Sequence, residues 1–534
     1  MKRTVAATLL SLCIAAQTAA QGLKSGRYEL PYKNTYVKEV FVAENEYRTA
    51  APERIEPRPF DEARRILPAP YWEGHDKEIE MYWHAWRIAV GNIRQPQEGS
   101  GFVSPYLDMA YNGNIFMWDM SFMMLYARYG YRYFPFQRSM DNFYAKQHPD
   151  GFICREIRAD GSDCFERYDP TSTGPDLLPW IELTYFRQFG DIDRLHRIFP
   201  ALCGYAKWWK LNRTWPDGTY WSSGWGTGMD NMPRVKPEYN PIFSHGHMVW
   251  LDTNLQQMLV DESLLQIGFH IERWQEIEWM EEEMKMLKRY INEHLWDERD
   301  GFLHDRYGDG SLCPTKGIGA YWALQTDALD KERLDRLVAH LSDTTEFARP
   351  HRVPSLSADH AKYNPVGRYW QGGVWPGTNY MVIDGLWRKG YRAQAREIAA
   401  NHYASVFEVW KKTGTFWEYY APERPEPGFM ARKDFVGWTG LPPIAVFIEY
   451  VLGIKSDYSE RRIEWDVTRT EAHGIERYPF GPNGVVDLKV RRRGSSSEVP
   501  AVTVSTDVPF DLTVLWGDGQ SRTVHVEKSG EVKL

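Results

Sequence analysis

The chain has 534 residues and a formal net charge of −8, from 64 Lys and Arg against 72 Asp and Glu. That balance excludes a global electrostatic footprint for nucleic acid, and 43% apolar with 25% charged residues excludes a disordered chain. The 23 Trp, 31 Tyr and 24 Phe bring aromatic content to 15%; such rings carry an apolar face and a polar tip, which suits a carbohydrate cleft as well as a core.

Residues 1–20 read MKRTVAATLLSLCIAAQTAA. Lys2 and Arg3 precede an apolar run from Val5 to Ala16, and Thr18, Ala19 and Ala20 supply small residues before Gln21. This is the form of a secretory signal peptide and predicts export, to the periplasm or beyond. Cys13 follows Leu12 rather than a small residue, which argues against lipidation. No later run reaches about 18 uninterrupted apolar residues, so no membrane insertion is predicted. Residues 21–70 carry prolines and no long helical period, the pattern of an extended N-terminal arm.

From Glu73 onward helical periods dominate. They predict helices over 76–93, 117–131, 135–146, 175–190, 193–212, 246–268, 271–295, 316–326, 330–342, 376–389, 391–411 and 436–453. Long Gly-, Pro- and Trp-rich loops separate them at 213–245, 343–375 and 411–436, and loops of that length are usually functional. Helix pairs with long loops gathered at one end describe an (α/α)₆ toroid over 71–455 with a cleft at its loop-rich face. An α-solenoid is the alternative, but no fixed repeat of about 34 or 40 residues is visible. Past Gly453 the period changes to alternation, as in VVDLKVRRR, AVTVST and DLTVLW, predicting a small antiparallel β-domain over 456–534. Arg491 to Arg493 read as a solvated strand end. The fold class is mainly α: a helical toroid, a short N-terminal arm and a small C-terminal antiparallel β-domain.

Beyond Cys13 the cysteines are Cys154, Cys164, Cys203 and Cys313, with no C-x-x-C pair or Cys/His spacing that would hold a metal. No nucleotide or cofactor motif is present. Cys154 and Cys164 flank the turn sequence ADGSD; they are either a disulfide across a hairpin or two free thiols.

Two carboxylic residues sit in aromatic loops: Asp230 in WSSGWGTGMDNMPR and Glu418 in GTFWEYYAPE. Apolar rings desolvate a carboxyl group and raise its pKa. Glycoside hydrolysis needs one carboxylic acid on the leaving oxygen and one carboxylate on the other face. Asp119, in FMWDMSFMM, is either a helix-start charge favoured by the dipole or an acceptor for a sugar hydroxyl. Two other classes stay open at this point: a sugar-binding toroid without catalysis, and an epimerase-like toroid using His245, His247 and His360 for proton transfer.

Six segments in order resemble the inverting α-glycosidases of clan G, meaning glycoside hydrolase family 63, the mannosylglycerate-hydrolase-like enzymes and, more distantly, the trehalases. FMWDMSF is similar to the family's sugar-binding W-D stretch. GFICREI resembles G-x-x-P-R-E, with Cys154 in place of Pro. TGPDLLPW resembles the following (Q/N)-P-P-L stretch, with Gly174 departing from it. TGMDNMPR is similar to S-G-x-D-[DN]-x-P-R, whose first Asp is the general acid, here Asp230. YWQGGVWP resembles Y-W-R-G-P-x-W, with Gln371 for Arg and Gly373 for Pro. FWEYYAPE resembles W-E-x-Y-x-P-E, whose first Glu is the general base, here Glu418.

The likeness covers roughly 70–455. It implies an (α/α)₆ catalytic toroid, a carbohydrate substrate and single displacement, with Asp230 kept protonated by burial near Trp225 and Met229 and Glu418 kept ionised. Trp118, Trp370, Trp375 and Trp417 are the candidate stacking platforms. Asp119, Arg155, Glu156, Asn231, Arg234 and Gln371 are the candidate polar contacts, with Asn231 and Arg234 alternatively bracing the Asp230 loop.

Overall fold

The computed structural model describes residues 23–25, 28–30, 40–109 and 111–534. The signal-peptide reading and part of the N-terminal arm lie outside the described residues. Among the described residues no helix is long and apolar enough to cross a membrane.

Helices apolar on every side are buried on every side. Every residue of Met117–Ala127, Ile318–Gln325 and Leu441–Val451 is buried, and so are nearly all of Leu178–Phe189, Leu251–His270 and Pro376–Arg388. These six elements touch in chain order, and the last touches the first. Outside them lies a second layer of helices, two of which bury only a single stripe. Lys331–Ala339 buries only Leu334, Leu337 and Val338, and Trp279–Tyr290 only Met280, Glu283 and Leu287. Asp76–Gly91, Ile192–Asn212 and Arg392–Thr413 complete this layer, each packed on the inner elements.

Some boundaries differ from the periodicity. The helix expected from 246 begins at Leu251, because Gly246 and His247 are left-handed (φ 62° and 46°) and Met248–Val249 pairs with Arg306–Tyr307. Ile318–Gln325 winds as a 3₁₀ helix and Leu441–Val451 as a π-helix opened by Pro442 and Pro443. The 135–146 segment splits into a 3₁₀ turn, Phe136–Met140, and a short helix, Asp141–Ala145.

The C-terminal strands form two sheets. One orders Ile454–Asp457, Arg462–Asp466, Phe510–Trp516 and Gln520–Val526; the other orders Gly530–Val532, Val502–Thr506, Val485–Val490, His473–Pro479 and Ala69–Trp72. Strict alternation buries Val486, Leu488 and Val490 on one face. Three expectations are corrected here. The domain is not wholly antiparallel, since Arg462–Asp466 runs parallel to Phe510–Trp516. The strand Ala69–Trp72, across the expected boundary between arm and toroid at 70/71, pairs with His473–Glu476 and edges the C-terminal sheet. Arg493 is buried, not solvated: its guanidinium donates to the carbonyls of Val467, Arg469, Ser496 and Glu498, while Arg491 and Arg492 remain exposed.

The disulfide reading is also overturned, since Cys154 and Cys164 are free thiols. The hairpin register pairs Ile157 with Asp163, and the Cys164 N–H donates to the Glu156 carbonyl at 3.1 Å. Cys164 therefore faces Glu156, and Cys154 lies two residues further along and fully buried.

Candidate active site

The N-terminal ends of the inner elements and the long loops before them surround a cavity of about 620 Å³, within the range of about 300–1,000 Å³ typical of small-ligand sites. Trp118 and Asp119 enter it from the first turn of Met117–Ala127, Asp230 from the Trp225–Arg234 loop and Glu418 from the loop after Thr413. Gly228 in the Asp230 loop is left-handed (φ 71°), and a Cβ there would stand 3.0 Å from the Trp118 indole nitrogen. Only glycine lets this loop close over that ring.

Besides Glu156, three carboxyl groups share the cavity. Burial pushes Asp230 up to about 6, against the opposing charge of Arg155 and hydrogen bonds from Tyr369 and Trp225. Burial also pushes Glu418 up to about 7, opposed by the Arg432 backbone N–H and guanidinium and reinforced by the charge on Asp230. Asp119 is held well above the ordinary carboxylate range, by burial first and by Glu418 second. Burial therefore lifts Glu418, the group expected to stay ionised, as well as Asp230, the group expected to hold the proton. Both groups are desolvated, and the charge on Asp230 adds to the rise of Glu418. Their titration belongs to the pair.

Tyr369 is the polar anchor of Asp230. Its hydroxyl donates to Asp230 Oδ2 at 3.1 Å. Its backbone is left-handed (φ 58°), which a bulky residue adopts only when its surroundings demand it. Here Gly373 N–H and Trp375 Nε1–H both donate to the Tyr369 carbonyl, at 3.0 and 3.3 Å. The ring meets Trp375 and Tyr419 edge-on. Glu418 is fixed by its backbone: its N–H donates to the Arg432 carbonyl at 2.9 Å, and its carbonyl accepts from Trp438 Nε1 at 2.7 Å.

Seven of the expected site residues line this cavity: Trp118, Asp119, Arg155, Glu156, Asp230, Asn231 and Glu418. Arg155 donates through Nε to the Thr171 carbonyl (2.7 Å), with its guanidinium over Phe165 and Trp225. Glu156 accepts from Asn114 Nδ2 at 2.8 Å. Asn231 also clamps the loop, accepting from the Trp370 N–H at 2.8 Å and donating to the Arg368 carbonyl at 3.2 Å.

Five expected contacts do not reach the cavity. Trp370 and Trp375 are not platforms; they stack on each other 4.1 Å apart, both 1% exposed, behind Tyr369 and Tyr419. Trp417 turns away, donating through Nε1 to Thr413 Oγ1 at 3.0 Å. Gln371 donates to the Asn231 carbonyl at 3.2 Å. Arg234 braces the loop from below, gripped by Asp252 (2.6 and 2.8 Å) and Asp305 (2.8 and 2.9 Å) and lying over Trp250. The rings that do face the cavity include Trp225, Tyr369, Tyr419 and Trp438. Tyr369 and Tyr419 adjoin residues the motifs single out, Trp370 and Glu418, but only the local turn decides which of two neighbouring rings faces inward. His245, His247 and His360 lie outside this cavity, which removes the proton-transferring histidines an epimerase would need here.

Paired buried carboxyls among inward-facing indole and phenol rings are the equipment of a glycoside hydrolase. Residues 114–439 match the mannosylglycerate hydrolase MGH1-like glycoside hydrolase domain, and the chain belongs to that family. The matched span holds Trp118, Asp119, Asp230, Glu418 and Trp438. An uncharacterised protein of Borreliella burgdorferi is 24% identical over 360 residues, covering 65% of this chain and 73% of that protein. A probable mannosyl-oligosaccharide glucosidase of Schizosaccharomyces pombe is 24% identical over 281 residues, 46% of this chain; the chain spans about a third of that relative's length, 34%. The solved GH63 mannosylglycerate hydrolase of Thermus thermophilus in complex with glucose superposes with a TM-score of 0.56 at 18% identity, over 69% of this chain and 99% of that one. It shares the fold.

Proposed function

We propose that this glycoside hydrolase cleaves a small α-linked glycoside with inversion, inside an (α/α)₆ toroid spanning about 71–455. The ring of six buried elements, with five further helices packed outside it, supports the toroid. The observation that carries the chemistry is the meeting of Asp230 and Glu418, from loops nearly 190 positions apart, in one cavity where burial raises both toward neutrality. Asp230, as the acid, gives its proton to the glycosidic oxygen as the C1–O bond breaks. Glu418, as the carboxylate, takes a proton from the water that forms the new C1–O bond on the other face. The products are the free sugar and the alcohol; Asp230 is left ionised and Glu418 protonated, and a proton returns through solvent. Burial raises both carboxyls toward neutrality, so the pair holds one proton in the range of about 6 to about 7, and the productive arrangement is the one with that proton on Asp230. Trp118 and Asp119 hold the sugar that reacts, stacking beneath it and accepting from its hydroxyls.

The names of the relatives favour a mannoside or glucoside, carried on a small polar aglycone. The N-terminal signal sequence supports export, and cell fractionation tests it. The carboxylate roles are tested by Asp230→Asn and Glu418→Gln. Each should lower kcat on the order of 10²–10⁴-fold or more, with circular dichroism unchanged. Activity kept within a few-fold in either variant removes that residue from its role.

A further inference from the structure

A second cavity, of about 510 Å³, opens at the same loop-rich end of the ring, beside the short sheet of Met248–Val249 and Arg306–Tyr307. Five rings line it: Trp215, Tyr239, His247, Tyr290 and Tyr307. None of the five is buried. Trp215 and His247 lie nearly parallel (21°), and Tyr239 approaches His247 at 5.6 Å. His247 reaches this position through a left-handed backbone (φ 46°) directly after left-handed Gly246. A non-glycine residue in that conformation stores strain, and strain concentrates where a side chain must be presented to a ligand. Gly308 packs directly against this backbone, since a Cβ there would meet the His247 carbonyl at 2.6 Å.

We propose that this cavity is a second carbohydrate site, distinct from the catalytic one, which takes a neutral oligosaccharide. The charges at its edge select against an anion: Lys236 and Arg306 face Asp217, Glu238 and Asp309, and Lys236 is already paired with Asp309 at 2.6 Å. Lys236 and Arg306 also lie over the Tyr307 and Tyr290 rings (4.8 and 5.9 Å), which leaves Trp215, Tyr239 and His247 as the stacking surface, edged by fixed donors and acceptors, the chemistry that reads sugar C–H faces and hydroxyls. The loop of 213–249 separates the two cavities and contributes to both. Trp215 and His247 stand on one side of it, Trp225 and Asp230 on the other. A longer glycan held by the outer site would be kept near the catalytic one, raising its effective concentration there. The proposal rests on the chain being a glycosidase, and is independent of the roles given to Asp230 and Glu418.

Indole N–H signals separate the two sites. The Asp230→Asn enzyme, ¹⁵N-labelled at tryptophan, is titrated with maltotriose, isomaltotriose and α-1,2-, α-1,3- and α-1,6-linked mannotrioses. Trp225 reports the catalytic cavity and Trp215 the outer one. At least one sugar should move the Trp215 signal along its own saturation curve. His247→Gly and Tyr239→Ala should each weaken that curve about three- to tenfold, leaving kcat on a short aryl glycoside unchanged. His247→Gly should also raise Tm, since glycine relieves the left-handed strain. A Trp215 signal unmoved by every sugar, or a curve that neither variant weakens, overturns the proposal. A silent Trp225 with a responding Trp215 would count against the catalytic reading alone.

Discussion

Replacing Tyr369 by Phe removes one hydroxyl and leaves the ring's contacts with Trp375 and Tyr419 in place. The lost hydrogen bond, 3.1 Å to Asp230 Oδ2, favours the ionised acid. A hydrogen bond to a charged group is worth about 1.5–3 kcal/mol. At 1.36 kcal/mol per unit, its removal raises Asp230 from about 6 by about one to two units. Asp230 must hold a proton to work, so activity should persist to higher pH in the variant. The assay is the pH dependence of kcat/KM, which reports the free enzyme. The wild-type profile should be a narrow bell between about 6 and about 7, the values of the coupled pair. Tyr369→Phe should carry its alkaline limb upward by about a unit and leave its acid limb nearly in place. An alkaline limb that stays put, or moves down, refutes Tyr369 as the group that tunes the acid.

Arg234→Met leaves Asp252 and Asp305 buried without their cation, a loss of about 3–5 kcal/mol that denaturant unfolding at neutral pH should register. Asp176 is buried, and desolvation raises it to about 7, well above the ordinary value. The folded state thus prefers its neutral form, and this contribution is present below about pH 4 and lost as pH rises through about 7. Asp176→Asn stays neutral, so it should flatten the fall in stability between pH 5 and 8, by up to about 3 kcal/mol; an unchanged slope would contradict the assignment. Unfolded without reductant, the protein should alkylate at both Cys154 and Cys164 and show no mass shift from a bridge between them.

The helical class and the two loops that carry Asp230 and Glu418 were legible because each is a local signal. A run such as MWDMSFMMLYA is apolar all round and belongs inside, whereas KERLDRLVA shows one stripe and belongs outside. Ring closure joins elements more than 300 residues apart, and the edge strand Ala69–Trp72 finds its partner 400 positions later; no local pattern encodes such pairings. At the site, Asp230 and Glu418 stood out as carboxyls among rings, and burial raises both as desolvation requires. Side-chain direction was the illegible part. Tyr369 and Trp370 are adjacent rings, and the left-handed turn at Tyr369, held by hydrogen bonds from Gly373 and Trp375, sends the tyrosine to the acid and the indole into the core. Arg234 follows the acid by four residues as a contact residue would, yet its two carboxylate partners come from the Leu251–His270 helix and from the segment beyond Phe302–Leu303.

The central claim is that water attacks C1 directly, with no bond between sugar and enzyme. Proton NMR of an α-glycoside during the first minutes of hydrolysis, before mutarotation, tests it most directly. Single displacement requires the two carboxyl groups to stand about 6.5–9.5 Å apart and releases the β-anomer first. Early appearance of the α-anomer would mean that one of the two carboxylates attacks C1 itself, and would contradict the account even if both residues proved essential.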